Sequence, residues 1–261
     1  MAKSVSIVIP AYNEEKRIGN TLKEYYSFFK EKKDKGEVKN FEILIVLNAC
    51  KDNTIGVVRE YQKKFKEIKY LDFKRGGKGF AIIEGFKDAL IRENDLIGFV
   101  DADMATPPSA FFYLIKKIDD YDGAIASRGL RKSIVKTSFS RKMTNKGFNF
   151  IVRLFLFLPY KDTQCGAKIF KRNALIKVIN KIGITKWAFD VDLLYKLRKN
   201  RFKIKEIPTV WYDKEGSKIE VGRTSLQMFL AILRLRLINS PFRFIIRLYN
   251  KFAEKFKIHK D

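Results

Sequence analysis

Two carboxylates stand two residues apart at Asp101-Ala102-Asp103, directly after the apolar run Asp95 to Val100 (DLIGFV). On an extended chain, residues i and i+2 project to the same side. Two such charges at the end of a buried strand repel one another strongly unless a cation sits between them. Oxygen donors of this kind suit Mg2+ or Mn2+, and those ions in turn bind diphosphates. The bland alternative is a solvated pair that caps the next helix. Upstream, Arg75-Gly76-Gly77-Lys78-Gly79 reads as a strand-to-helix turn. Its glycines would let the backbone approach a phosphate, and Lys78 would place positive charge at a helix N-terminus. The G-x-x-x-x-G-K-[ST] spacing of a Walker loop is absent, and a flexible basic turn is an equal reading. Two polar loops complete the set. Pro10-Ala11-Tyr12-Asn13-Glu14-Glu15 reads locally as a helix entry with Asn13 as cap. In Asn48-Ala49-Cys50-Lys51-Asp52-Asn53-Thr54, Asn48 and Asp52 could hydrogen-bond a base edge or simply form a turn and a cap.

The elements around these loops alternate. Ser4 to Ile9, Phe41 to Leu47, Ile68 to Phe73, Asp95 to Val100 and Gly123 to Ala126 read as strands. Helical patterns fall between them at about Lys16 to Lys33, Asn53 to Lys66, Gly79 to Arg92 and Pro108 to Ile118. Nearly continuous apolar strands alternating with helices predict an α/β fold, a mostly parallel sheet flanked by helices on both faces. Such sheets bind ligands at the carboxyl ends of their strands, where three of the four loops lie. After Ser127 the pattern predicts a helix at Arg141 to Leu158, a strand at Lys168 to Phe170, a helix at Phe189 to Arg198 and a strand at Lys203 to Trp211. Two amphipathic helices, Thr224 to Leu237 and Phe242 to Lys257, divided by Pro241, close the chain. The domain reading is a catalytic unit over 1–222 followed by amphipathic helices over 223–261.

Composition narrows the chemistry. The 261 residues carry 54 Lys+Arg against 29 Asp+Glu, a formal net charge of +25. Such an excess predicts polyanionic company, whether nucleic acid, anionic lipid or phosphorylated substrates. Cys50 and Cys165 lie far apart and show neither metal-ligand spacing nor a disulfide framework, which fits a reducing compartment. The one histidine, His259, is near the C-terminus, so histidine acid–base chemistry is set aside. The chain runs from Met1 straight into a strand pattern without a signal peptide. No apolar stretch reaches the roughly 20 residues that span a bilayer.

Taken in order, Ser6-Ile7-Val8-Ile9-Pro10-Ala11-Tyr12-Asn13-Glu14-Glu15, Gly77-Lys78-Gly79, Asp101-Ala102-Asp103 and Ser127-Arg128 resemble the family 2 glycosyltransferases of the GT-A fold. Asp162-Thr163-Gln164-Cys165-Gly166, Trp187-Ala188-Phe189-Asp190-Val191-Asp192 and Glu215-Gly216-Ser217-Lys218 are similar to the dolichyl-phosphate glucosyltransferases, and mannosyltransferase cousins usually differ in the first two. The resemblance implies nucleotide binding by Pro10, Ala11, Tyr12 and Glu14, a diphosphate-side Lys78, ribose and metal binding at Asp101 and Asp103, and a phosphate-contacting Arg128. Two departures are visible. The usual Asp-Asp-Gly-Ser loop is Leu47-Asn48-Ala49-Cys50, and Ala105 stands where mannosyltransferase relatives often carry Gln. Metal binding would then rest on Asp103, diphosphate oxygens and water.

The reaction so implied is displacement at the anomeric carbon with inversion. An alcohol acceptor would need a general base. A phosphate monoester, with a second pKa near ~6, is already an anion at pH 7. Positive charge must instead seat the phosphates, and Arg128, Arg131, Lys132, Arg141, Lys218 and Arg223 are the candidates. Asp190 would orient acceptor or sugar, or cap a helix. Leu226, Phe229, Leu230, Leu233 and Leu237, then Phe242, Ile245, Ile246, Tyr249 and Phe252, lie at helical spacing with basic residues on the other faces. This patterning predicts helices lying on an anionic membrane surface or packing on the core. The expected partners are a nucleotide sugar, favoured as UDP-glucose with GDP-mannose as alternative, and a polyprenyl or dolichyl phosphate at the cytoplasmic face of a membrane. A sugar nucleotidyltransferase would carry its glycine-rich loop after the first strand. A nucleic-acid binder would present stacking aromatics on an open sheet face, whereas these strands are of the buried type. An inactive scaffold would not need an intact Asp101-Ala102-Asp103.

Overall fold

The computed structural model describes residues 2–183, 188–213 and 221–241, with the side chains of the last stretch from Phe229 onward. Apolar β-branched runs form the strands, and each polar interruption ends one. β1 (Ser4–Ala11), β2 (Asn40–Asn48), β3 (Ile68–Phe73), β4 (Leu96–Val100) and β5 (Gly123–Ser127) alternate with α1 (Glu15–Asp34), α2 (Thr54–Lys64), α3 (Lys78–Ile91) and α4 (Pro108–Lys116). There follow β6 (Ile134–Lys136), α5 (Phe139–Leu156), β7 (Ala167–Lys171), α6 (Arg172–Val178) with a 3-10 turn at Ile179–Lys181, α7 (Phe189–Lys199), β8 (Ile204–Pro208), β9 (Val210–Tyr212) and α8 (Val221–Ile238).

Seven strands make the main sheet in the order β3-β2-β1-β4-β7-β5-β8. All run parallel except β7, which is antiparallel to both β4 and β5. The chain steps from β1 to β2 on one side and meets β4 on the other, so a crevice opens at the carboxyl end of β1. Reversal of β7 brings its amino end, not its carboxyl end, to that same edge: Ala167 pairs with Val100. Strands buried on both faces carry apolar side chains on both. Val5, Ile7 and Ile9 of β1 pack into the layer that holds Ile18, Leu22 and Tyr25 of α1. Val8 faces the opposite layer, with Phe86 of α3 and Leu193 and Leu194 of α7.

The helix-and-strand alternation expected from the sequence is present throughout the described residues. One expected strand is split. Lys203 to Trp211 becomes β8 and β9, because Pro208 has no N–H to extend the ladder and the Thr209 N–H turns to Ser133 Oγ. β9 then leaves the main sheet to pair with β6. The β6 strand and the short α6 were not expected. α8 starts at Val221, just before the expected domain boundary. It buries Ile232 and Leu235 on the core and leaves Leu230 exposed. Phe229 meets the Phe155 ring edge-on at 5.9 Å. Of the other members of that expected stripe, the Leu226 side chain lies outside the described residues, as does the whole helix expected at Phe242 to Lys257. Among the described residues, no helix is long and apolar enough to cross a membrane. Cys50 and Cys165 are both free thiols.

The close approach of β4 and β7 depends on Gly98, because a Cβ there would collide with the carbonyl oxygen of Lys168 and press on the Phe111 ring. Backbone cannot move aside as a flexible side chain can. Gly98→Ala is therefore expected to lower the unfolding free energy by about 2–3 kcal/mol, seen as a shift of the urea midpoint at unchanged slope.

Candidate active site

Four loops converge on the carboxyl edge of the sheet, and each contains a residue in the left-handed region: Asn13 (φ 53), Ala49 (φ 54), Gly77 (φ 128) and Met104 (φ 59). Such backbone is costly for residues other than glycine unless surrounding bonds enforce it, and here they do. Asn13 does not cap α1; its Oδ1 accepts the Lys51 N–H at 2.7 Å. The Glu14 N–H donates to Thr54 Oγ1 at 2.8 Å and the Glu15 N–H to Asp52 Oδ2 at 3.1 Å, while Glu15 Oε2 accepts the Asn53 N–H. Asn48 is buried, and its amide joins the first loop to the third: Nδ2 donates to Ala11 O at 2.8 Å, and Oδ1 accepts the Gly77 N–H at 3.1 Å. Asn48 and Asp52 thus tie loops together. Burial alone would raise the Asp52 carboxyl; the Thr54 hydroxyl and the Glu15 and Thr54 N–H groups outweigh it and hold it below its usual range. Tyr12, 52% exposed, extends from the end of β1 into the crevice mouth.

The paired carboxylates lie just past β4, which ends at Val100, so Asp101 to Asp103 form a turn and not a strand end. Two buried hydroxyls of α1 hold that turn by its backbone: Thr21 Oγ1 donates to Ala102 O at 2.6 Å and Tyr25 OH to Thr106 O at 2.8 Å. Asp101 forms an ion pair with Lys78 at the start of α3. Desolvation works against the Lys78 ammonium, but Asp101, Asp190 and Asp103 together raise it above its ordinary value. Asp103 accepts one hydrogen bond, from the Ala105 N–H at 2.9 Å. Burial and the charge of Asp101 push its carboxyl up from the usual range. Glu14 is also raised, by burial and then by Asp103 and Asp101, even though Arg17 grips it in a two-pronged pair at 2.7 and 2.9 Å.

This is the donor chemistry that a divalent cation fits. Among the described residues Asp103 has one hydrogen bond and no ion pair, whereas Asp101 already has Lys78. Among the described residues, no group of three or more His, Cys, Asp or Glu side chains is arranged to hold an ion. Asp103, with Asp101 beside it, would be the protein's contribution, and further oxygens would have to come from a ligand. Ala105 is buried in the core, so its side chain takes no part.

Behind the carboxylates lies a second charge pair that sequence reasoning missed. Lys168 on β7 is 0% exposed. Its Nζ donates to Asp190 Oδ1 and to Cys165 O, both at 2.6 Å, and lies 5.2 Å from the Phe99 ring centroid. A lysine among apolar strand residues is the signal that could have exposed it. Asp190 lies in the first turn of α7, whose N-cap is Ala188, and its Oδ1 is taken by Lys168. Gly166 is needed because a Cβ there would strike the Asp101 carboxylate, and its carbonyl accepts the Asp101 N–H at 3.1 Å. Cys165, fully buried, has its thiol pushed up to about 12 by desolvation, which leaves it no nucleophilic character.

The basic candidates separate. Arg128 grips Asp162 through Nε at 2.7 Å and Nη2 at 3.0 Å and packs over Trp211, 5.0 Å from its centroid. Desolvation opposes both charges of this pair; attraction wins, raising Arg128 and lowering Asp162. What Arg128 can offer a phosphate is therefore its remaining Nη1 edge. Arg141, on α5, pairs with Asp213 and also packs over Trp211, at 5.6 Å. Arg131 is exposed. Lys132 lines a groove with Tyr113, Ile134 and Pro208 that contains none of the carboxylates. Lys218 lies outside the described residues, as does the side chain of Arg223.

Two outcomes follow. An Asp103 pKa raised in the folded state means its ionisation opposes folding. The penalty sets in as pH rises above the unfolded value of 3.8 and is complete once pH has passed the raised folded value. Asp103→Asn is expected to stabilise the metal-free protein at pH 7 and leave it nearly unchanged at acid pH, as read by denaturant melts with chelator present. Lys168→Met leaves a buried carboxylate unpaired and is expected to cost about 3–5 kcal/mol. Lys168→Met with Asp190→Leu should recover much of that loss in the same melts.

The model of "Glycosyl transferase family 2" matches residues 6–179. A dolichyl-phosphate beta-glucosyltransferase of Trichomonas vaginalis is 34% identical over 240 residues, 88% of this chain and 72% of that protein. The Dictyostelium discoideum and Homo sapiens dolichyl-phosphate beta-glucosyltransferases are 32% and 31% identical, covering 94% and 92% of this chain and 76% and 78% of theirs. The solved glucosyl-3-phosphoglycerate synthase from Mycobacterium tuberculosis, in complex with phosphoglyceric acid, superposes with a TM-score of 0.67 at 16% identity, over 90% of this chain and 80% of that one. The same enzyme bound to Mn2+, UDP and glucosyl-3-phosphoglycerate gives 0.65 at 14% identity, over 90% and 79%. The chain belongs to glycosyl transferase family 2 and is a glycosyltransferase with the GT-A fold.

Proposed function

We propose that this enzyme transfers glucose from UDP-glucose to the phosphate of a polyprenyl phosphate, dolichyl phosphate in the first instance, with inversion at the anomeric carbon. The observation that carries this reading is that dolichyl-phosphate beta-glucosyltransferases match it at 31–34% identity over most of both chains. All three of these relatives are glucosyl enzymes, and a GDP-mannose donor finds no support among them. UDP as the nucleotide is favoured by the glycosyltransferase of like fold that was solved with UDP and Mn2+ or Mg2+.

In this reading Pro10, Ala11, Tyr12 and Glu14 border the nucleotide, with Asn48 and Asp52 holding their loops. Lys78 faces the diphosphate. Mg2+ or Mn2+ at Asp103 and Asp101 would supply positive charge to the diphosphate oxygens as the nucleotide leaves. An oxygen of the lipid phosphate, already ionised, attacks the anomeric carbon as the bond to the UDP oxygen breaks, and no base is required. Arg128, Arg131, Arg141, Lys218 and Arg223 are the candidates to seat the acceptor phosphate, and Asp190 to orient the sugar. The enzyme works as a peripheral protein at the cytoplasmic, anionic face of a membrane, and nucleic acid plays no part.

Incubation with membranes and a panel of labelled UDP- and GDP-sugars, followed by lipid extraction, is expected to give one labelled lipid, from UDP-glucose. Calorimetry that finds tight GDP and no UDP binding would overturn the donor assignment. Asp103→Ala and added EDTA are each expected to abolish transfer; turnover that survives both would remove the metal from the reading.

A further inference from the structure

α5 has two faces of opposite character. Phe148, Asn149, Val152 and Leu156 are buried against the protein. Phe139, Met143, Phe150 and Leu154 are exposed, between 51% and 78%, and Phe157 continues them at the helix end at 64%. At ~100° per residue, the first four fall within an arc of roughly 60° on the side away from the core. Beside this stripe, Lys142, Lys146 and Arg153 recur on one flank. α5 contains no acidic residue at all, so that flank has no internal counter-charge. Monomeric proteins rarely expose so long an apolar row without a partner.

We propose that α5 is the surface by which this enzyme lies on an anionic bilayer, with its apolar stripe in the acyl boundary and its basic flank at the headgroup phosphates. The inference rests on the lipid-phosphate reading of the acceptor and adds where the membrane stands relative to the site. Charge decides among possible occupants. The chain's own segment 242–261 carries six basic against two acidic residues and would be repelled by the Lys142–Lys146–Arg153 flank. A second copy of this face would be repelled for the same reason. The position also fits. The first turn of α5 is tied to the site through Arg141 and Asp213, and Thr137 Oγ1 donates to the same Asp213 at 3.1 Å. Farther along, Asn149 Oδ1 accepts the N–H and hydroxyl of Thr163, in the loop that carries Asp162. Arg141 and Asn149 sit on the protein side of α5, so a bilayer on the exposed stripe would stand one helix diameter, ~10 Å, from the Asp162 loop.

The test uses the full chain in vesicle flotation, with phosphatidylcholine alone and with phosphatidylserine added. Wild type is expected to float with the anionic vesicles only, and less at high salt. Phe150→Glu with Leu154→Glu, and separately Lys142→Glu with Lys146→Glu, are expected to weaken binding about tenfold or more. Both variants should melt and bind UDP as wild type does, since all four residues are exposed. Phe150→Trp, read as the difference spectrum against wild type because Trp187 and Trp211 also emit, should shift its added emission to the blue on adding anionic vesicles. Emission already blue without lipid, or variants that float as well as wild type, would overturn the proposal. A parallel assay separates it from the acceptor reading: variants are expected to lose transfer to long-chain polyprenyl phosphate in vesicles and keep transfer to a short-chain, water-soluble one. If wild type glucosylates neither, the acceptor reading fails; if wild type and variants glucosylate both equally, α5 fails alone.

Discussion

Glu14, Asp101, Asp103 and Asp190 come together at one end of a sheet whose interior is apolar, and their mutual repulsion is the constraint that the surrounding structure answers. Left alone, such charges would protonate or drive the loops apart. The chain answers with a row of alternating sign. Asp101 meets Lys78, Lys78 lies in the field of Asp190, and Asp190 is held by the buried Lys168. Glu14 has Arg17. Among the described residues Asp103 pairs with no cation of its own, and burial together with the charge of Asp101 raises its carboxyl. A site whose Glu14 and Asp103 carboxyls are both raised suits a ligand that brings a cation, and a metal–diphosphate, as proposed above, would supply what the fold withholds.

The topology follows from the same need. In an all-parallel sheet, the strand between β4 and β5 would carry its own carboxyl end to the crevice. With β7 reversed, the residues preceding it arrive there instead, so Cys165 and Gly166 lie against Asp101 while Lys168 points under the site. Placing a lysine inside a sheet is expensive unless each bond is satisfied. Lys168 has a carboxylate, a carbonyl and an aromatic face around it. Gly98 and Gly166 are the spaces that admit this arrangement, one beneath the Lys168 carbonyl and one beside the Asp101 carboxylate.

Much of this was legible in the residues, and the limits have physical causes. Strand–helix alternation, the convergence of the loops and the pairing of Asp101 with Asp103 are local patterns, set by periodicity and by like charge at short separation. The partners of those groups are not local. Asn13 and Asn48 look like a cap and a base ligand in isolation, yet their hydrogen bonds go to Lys51, Ala11 and Gly77 on other loops. Arg128 looks like a phosphate ligand, and most of its guanidinium is taken by Asp162, far along the chain. Ala49, though not a glycine, adopts φ 54, and its N–H is fixed to Phe73 O at 2.7 Å. Likewise, α5 reads from sequence as an apolar helix. Only the buried face set by Phe148, Val152 and Leu156 reveals that a second apolar face is left outside.

Trp211 links the two halves of the molecule's chemistry. Its ring, nearly buried on β9, carries Arg128 from the carboxyl end of β5 and Arg141 from the first turn of α5. Each arginine is also fixed by a carboxylate, Asp162 for one and Asp213 for the other. An arginine clamped at its guanidinium and stacked on a ring has little freedom to follow a ligand. The separation between the donor edge and α5 is therefore set by the protein and not by whatever binds there. For a reaction between a soluble nucleotide sugar and a phosphate anchored in a bilayer, that fixed spacing does useful work. The anomeric carbon and the attacking oxygen must be brought to about 3–3.5 Å in an aligned geometry, and the lipid can slide in its plane but cannot rise far out of it. On the reading proposed for α5, its rigid coupling to Arg128 through Trp211 would convert a two-dimensional search by the lipid into a defined approach line. The excess of positive charge then has a division of labour: Lys78 and Lys168 hold carboxylates in place, paired arginines set the geometry, and exposed residues such as Lys142 and Lys146 are left for the anionic partner proposed above.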